Sequence, residues 1–241
     1  MVYIDSHCHL FEIKDYVLPS DMYPVIIGYS HGSNKKAYEI AKKNNYPFAL
    51  GIAPQSTVKE GISKLDDWVE YIRSCKPNAI GEVGLDYKWA TTAEHVEGQK
   101  KTFLKMIDLS AKLNVPIVIH SRNNPNENNI PKNAIDDIIS MVEGRPFLMH
   151  FYSGNDVQAK KIVDMGGYIS IIALRSKERR KVIEQTPIER LLIESDSPYV
   201  GKTPDIIKDA VSYIAEVKNL DQKLVEEETA KNTERFFGFK V

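Results

Sequence analysis

The chain has 241 residues, 27% of them charged and 42% hydrophobic, with 32 Lys and Arg against 33 Asp and Glu for a formal net charge of −1. That size and balance suit one globular domain spanning 1–241, and they exclude a strongly basic nucleic-acid clamp and a disordered polyelectrolyte. Two cysteines, Cys8 and Cys75, in no framework spacing exclude a disulfide-built fold.

The opening Met-Val-Tyr-Ile-Asp5 carries neither a basic segment nor an apolar one of the secretory kind, and no apolar run approaches the length of a membrane span. A cytoplasmic protein with no membrane contact is expected. Apolar, β-rich runs then recur at 2–7, 24–30, 48–54, 79–86, 116–121, 146–153, 168–173 and 190–195. Their continuous apolar character fits strands covered on both faces, as in a parallel sheet. Helical spacing fills the intervals. Val58, Ile62, Leu65, Val69 and Ile72 share one face, as do Phe103, Met106, Ile107 and Ser110. The Asn-rich stretch 123–133, broken by Pro125 and Pro131, reads as a single loop on the active face. Thr203-Pro204 reads as an N-cap followed by proline at the first helical position, and a last helix runs from about Asp221 to Phe236. Strand–helix alternation predicts parallel pairing and right-handed crossovers. Eight units close into an α/β (β/α)8 TIM barrel with that extra C-terminal helix; an open doubly wound sheet is the alternative.

Six ligand-type residues, His7, His9, Glu82, His120, His150 and Asp196, fall at or near the C-terminal ends of these strands, where barrels build active sites. Alternate residues of a strand share a face, so Asp5, His7 and His9 point one way. Two imidazoles at that spacing reach one divalent ion, with Asp5 behind them as an orienting partner. Cys8 then faces the other way as a small buried hydrophobe. Glu82 lies in an apolar strand between two glycines, where a carboxylate needs a cation or a proton. A salt bridge to a basic residue of another strand is the plain alternative. Asp86 reads as a capping or loop residue beyond that strand.

His120 and His150 end consecutive strands and together point to a second metal position. Arg122 either grips a phosphate or carboxylate oxygen or serves an ion pair. Glu194 and Asp196 share a face with Asp196 nearer the mouth, which makes Asp196 the candidate general base and a metal contact, against a simple turn-capping role. His31 and His95 read as surface or loop residues. The basic run 175–181 reads as a solvated helix face, with Arg175 placed to touch an anionic substrate.

These residues resemble the motifs of the TatD-like metal-dependent hydrolases of the amidohydrolase superfamily. The likeness rests on Ile4-Asp5-Ser6-His7-Cys8-His9, on Gly81-Glu82-Val83-Gly84-Leu85-Asp86-Tyr87, and on Gln99 with Phe103 ahead of Pro116 to Arg122. It continues through His150-Phe151-Tyr152-Ser153-Gly154, Glu194 to Tyr199 and Asn232 to Gly238, so that it runs nearly end to end. The resemblance implies a distorted (β/α)8 barrel with two divalent ions, Mg, Mn, Zn or similar. His7, His9 and Asp196 would hold one, His120 and His150 the other, and Glu82 would bridge them. It further implies a deoxyribonuclease cutting DNA, or another phosphodiester, from the 3′ end. Asp196 and Glu82 are then catalytic, and Arg122, Ser153 and Tyr199 are the expected substrate contacts. Hydrolysis of a small-molecule amide, ester or lactone is the alternative, and a metal-bearing binding protein a third reading. One departure stands out: the family pattern Gly-x-His-Pro-His after the third strand reads Gly51-Ile52-Ala53-Pro54-Gln55 here. It leaves the metal ligands in place and takes two histidines from the substrate side. Phe151, where cysteine is common, is a smaller change in packing.

Overall fold

Each apolar run leads through a short turn into a capped helix, and the chain repeats that unit to its end. The computed structural model describes residues 2–126, 129–142 and 144–241. Its strands are β1 (Tyr3–Cys8), β2 (Met22–Ile27), β3 (Phe48–Leu50), β4 (Ala79–Asp86), β5 (Ile117–Arg122), β6 (Phe147–Met149), β7 (Tyr168–Ile171) and β8 (Leu191–Ile193). All neighbours pair in parallel, and the order across the sheet is the order along the chain. The helices are α1 (His31–Asn44), α2 (Pro54–Glu60), α3 (Leu65–Cys75), α4 (Ala93–Leu113), α5 (Ala134–Met141), α6 (Asp156–Asp164), α7 (Lys177–Gln185), α8 (Ile207–Lys218) and α9 (Gln222–Phe237). This is the (β/α)8 barrel, with α9 as the added C-terminal helix. No helix among the described residues is long and apolar enough to cross a membrane.

Local chemistry sets the turns. Ser30 and Asn155 close capping boxes on α1 and α6, and Thr92, Asn133, Ser176 and Asp221 accept from the first turns of α4, α5, α7 and α9. Asn45, Asn114 and Asn219 end α1, α4 and α8 in the left-handed conformation.

Four expectations need correction. The single face from Val58 to Ile72 is two helices, because Gly61 ends α2 at φ 69° and the chain re-enters at Leu65. Thr203-Pro204 opens a short 3-10 turn, Pro204–Ile206, ahead of α8, and the Thr203 hydroxyl caps nothing. His31 and His95 are not loop residues but sit in the first turns of α1 and α4. Several strands stop early: Pro54 already begins α2, and β6 ends before His150. The stretch 123–133 does lie between β5 and α5, although Glu127 and Asn128 fall outside the described residues.

Two apolar clusters hold the barrel. The larger lies between strands and helices and includes Cys8, Ile26, Leu50, Ile80, Phe103, Ile119 and Phe147. The smaller unites Ile4, Ile27, Ala49, Ala79, Val118, Leu148 and Leu192 with Phe236 and Phe237 of α9. Asn78, just ahead of β4, donates to the Phe237 carbonyl, so α9 covers the end of the barrel where strands begin. The opposite rim stays open for chemistry.

Closure is irregular. No ladder joins β8 to β1, and the β1 register slips between Asp5 and Cys8. A seam replaces the ladder. Asp5 accepts from the Ser195 backbone at 3.0 Å and from its hydroxyl at 2.5 Å, Asp196 N–H donates to the His7 carbonyl at 3.0 Å, and His9 N–H donates to Ser197 at 2.9 Å.

Gly84 shows how closely β4 meets β5. At φ 138°, a Cβ added there would stand 2.1 Å from the His120 carbonyl oxygen. What approaches this glycine is the neighbouring backbone, not a ligand. Gly84→Ala is expected to cost about 3–5 kcal/mol, through clash and strain together, and to lower Tm by roughly 10 °C. Differential scanning calorimetry checks it; an unchanged Tm would mean that the strands separate more easily than this contact implies.

Candidate metal centre

Parallel strands of a barrel end on one rim, so side chains at and just beyond their C-terminal ends converge over the axis. Glu82, within β4, stands at the centre. Its Oε2 faces His7 Nε2 at 3.6 Å and His9 Nε2 at 3.8 Å. Its Oε1 faces His120 Nδ1 at 2.9 Å and His150 Nε2 at 3.3 Å. Each carboxylate oxygen thus serves a different pair of histidines. Asp196 Oδ1 joins the first pair, 3.4 Å from His9 and 3.9 Å from His7. The rings of His7 and His150 stack with centroids 3.9 Å apart and link the two halves. Among the described residues Glu82 meets histidines only, so a salt bridge to lysine or arginine is not its role.

The donor atoms of His7, His9 and Glu82 lie within 4.8 Å of one another, as do those of Glu82, His120 and His150 and those of His7, His150 and Asp196. Both ring nitrogens of His7 and of His150 are buried without an aligned hydrogen bond among the described residues. Each such orphan costs roughly 1–3 kcal/mol, and a divalent cation is the partner that a neutral imidazole lone pair suits. Imidazole and carboxylate donors together fit Zn, Mn and similar ions.

The electrostatics agree. Burial opposes charge on Glu82, yet the surrounding histidines, His150 foremost, hold its carboxyl well below the usual range. Asp196 is lowered in the same way: burial is outweighed by His9 and by the charges of His7 and His150. Burial is likewise overcome at His9, His120 and His150, where neighbouring carboxylates raise proton affinity. His7 goes the other way, lowered by burial and by His150. A pocket whose buried carboxylates stay ionised is one that attracts cations.

Fixed partners aim these side chains. His9 Nδ1 meets the Ile27 carbonyl at 2.7 Å. His150 Nδ1 lies 3.7 Å from Glu194 Oε1, and Glu194 is itself held by Ser170 Oγ at 2.8 Å and by the Phe151 N–H. Asp86 is the last residue of β4, not a loop residue beyond it, and it does cap the turn that follows, accepting from Lys88 and Trp89 N–H. Its other oxygen does what the sequence reading missed: Oδ2 stands 2.9 Å from His120 Nε2 and accepts from Gln55 at 3.0 Å. The signal was present, since Asp86 follows Glu82 by four residues in one strand and shares its face. Asp5 does not orient an imidazole. It turns instead to the seam and to the His7 backbone N–H, because the β1 register breaks there.

Two rim residues, Phe151 at φ 41° and Asp196 at φ 48°, adopt the left-handed conformation without being glycine. Such strain costs about 1–3 kcal/mol each and gathers where geometry serves function.

Above the cluster opens a cavity of about 360 Å³ lined by Tyr29, Ala53, Gln55, Lys59, Trp89, Arg122, Phe151 and Tyr199 as well as by His9, Glu82, His120, His150 and Asp196. Arg122 is exposed and forms no ion pair among the described residues. Tyr199 lines the cavity too, whereas Ser153 is exposed outside it. Arg175 is engaged elsewhere, 2.6 Å from Glu216 and stacked on Tyr213. Ala53 and Gln55, the positions that depart from the family pattern, both face the cavity.

The profile of the family described as TatD related DNase matches residues 4–238. The chain belongs to the TatD family. It is similar to an uncharacterized metal-dependent hydrolase of Methanocaldococcus jannaschii, with 31% identity over 98% of this chain and 96% of that one. It is also similar to the human deoxyribonuclease TATDN3, with 26% identity over 97% of this chain and 94% of its relative. A TatD family hydrolase from Entamoeba histolytica has a similar fold, with TM-score 0.79 at 20% identity over 98% and 97% of the two chains. The TatD member described here is a metal-dependent hydrolase, and its buried histidines and carboxylates are the groups able to hold the metal.

Proposed function

We propose that this TatD hydrolase is a deoxyribonuclease that cuts phosphodiester bonds of DNA from the 3′ end with the help of two divalent ions. The observation that carries this reading is the division of Glu82, one oxygen toward His7 and His9, the other toward His120 and His150. On this reading His7, His9 and Asp196 would hold one ion and His120 and His150 the other, with Glu82 available to both. Two such ions, when bound, activate water and neutralise charge on the phosphoryl group.

The chain's own groups supply the rest. Asp196, held ionised by the imidazoles around it, is the proton acceptor for the attacking water. Arg122, unpaired at the rim, meets a phosphate oxygen, and Lys59 adds a second cation to the same side of the cavity. Asp86 keeps His120 in place, and Glu194 faces His150 Nδ1 at 3.7 Å. Free Cys8 and Cys75 suit a cytoplasmic setting, where thiols stay reduced.

The test is release of a 3′-end label from single-stranded DNA by chelator-stripped protein, with and without added Mn²⁺ or Mg²⁺. Metal-dependent release is expected. No release by protein shown to have bound metal would overturn the nuclease reading. It would favour a small-molecule ester, amide or lactone, for which Ala53 and Gln55 would be the first residues to examine.

A further inference from the structure

The cavity has two unlike sides. On the β3–β5 side stand Lys59, its Nζ 4.8 Å over the Trp89 ring, and Arg122, neither in an ion pair among the described residues. Across the mouth, beyond β1, β2 and β8, stand Tyr29 and Tyr199, edge-on to His9 with centroids 5.2 and 5.1 Å away. Behind the phenols lies Glu12. Tyr29 Oη donates to Glu12 Oε1 at 2.6 Å, Tyr199 Oη donates to Glu12 Oε2 at 2.6 Å, and the two phenol oxygens are 2.8 Å apart. Two protons are shared among three internal contacts, and none is left to point into the cavity. Burial and the Glu12 carboxylate push both phenols up, Tyr29 to about 12, so each keeps its proton at neutral pH. No lysine or arginine pairs with Glu12 among the described residues. The wall therefore offers lone pairs backed by an unneutralised carboxylate.

We propose that Glu12, Tyr29 and Tyr199 form an acceptor-only wall that selects a substrate end carrying a free hydroxyl and rejects one carrying a phosphate. A terminal hydroxyl donates to a phenol oxygen, whereas a terminal phosphate meets only lone pairs and a carboxylate behind them. The polyanionic remainder of the strand leaves across Lys59, Trp89 and Arg122. Glu12 does not line the cavity; it is a positioning residue that commits the phenol protons. The inference rests on the phosphodiesterase reading and names the group that this site requires beside the scissile bond.

The experiment compares kcat/KM for two oligonucleotides of one sequence, ending in 3′-hydroxyl or 3′-phosphate, with the Mn²⁺-loaded protein. The hydroxyl end is expected to be preferred roughly 10- to 100-fold. Glu12→Gln supplies amide N–H donors to the phenol oxygens and frees a phenol proton for the cavity, so the ratio moves toward parity. Tyr199→Phe keeps the ring and removes an acceptor. It is expected to lower kcat/KM about 10-fold for the hydroxyl end with no matching fall for the phosphate end, which loses a repelling lone pair. Equal hydrolysis of both ends by the unaltered protein overturns the proposal alone. So do variants that lower both substrates in the same proportion, since a purely structural role would do that. Hydrolysis of neither end by the metal-loaded protein overturns the phosphodiesterase reading and the proposal with it.

Discussion

Glu82→Gln is expected to reduce hydrolysis by about 10³-fold or more and to lower bound metal in the same preparation. The substitution keeps the size of the side chain but leaves one carbonyl oxygen for two pairs of histidines. The amide nitrogen would turn N–H donors toward whichever pair the oxygen does not serve, where lone pairs are wanted. The negative charge also vanishes, and with it the group that draws cations into the buried cluster. Activity and metal content measured by plasma mass spectrometry should fall together, with circular dichroism unchanged. Full metal content with full activity would show that the shared carboxylate does not organise the centre.

Asp196→Asn should lower kcat by roughly 10²- to 10⁴-fold with a smaller change in KM, because it removes the proposed proton acceptor while keeping the shape. Asparagine tolerates the left-handed backbone found at this position, φ 48°, so the rim should keep its form. The variant separates two roles. If saturating Mn²⁺ restores full activity, Asp196 serves only as a ligand. If the deficit persists with the metal sites filled, the carboxylate takes the proton.

The barrel was legible because most strand residues are covered on both faces, so that the strands read as largely apolar runs. Strand ends were less so. In β3 and β6 the apolar run outlasts the ladder, since residues entering the cavity floor are as buried as residues in the sheet. The cluster of four histidines with Glu82 and Asp196 was legible through its recurrence at strand ends. Their supports were not, because a positioning residue is defined by what it touches across the barrel. Gln55 reaches Asp86 and His120 over 31 and 65 residues of sequence. Glu12 reaches Tyr199 over 187. Asp5 shows the reverse error: alternation placed it beside the imidazoles, and a break in register turned it to the seam.

That seam also sets when the molecule becomes competent. The groups that close the barrel, Asp5 and Ser195, are 190 residues apart, and Asp196 hangs from the His7 carbonyl across the same join. A ribosome delivers one side of the join 190 residues before the other. A growing chain can thus carry His7, His9, His120, His150 and Glu82 while its first strand still lacks a neighbour on one edge. Contacts of such long separation form slowly, after their loop is closed. Asp196 thus joins the cluster only when that join forms, after the four imidazoles and Glu82 are already in the chain.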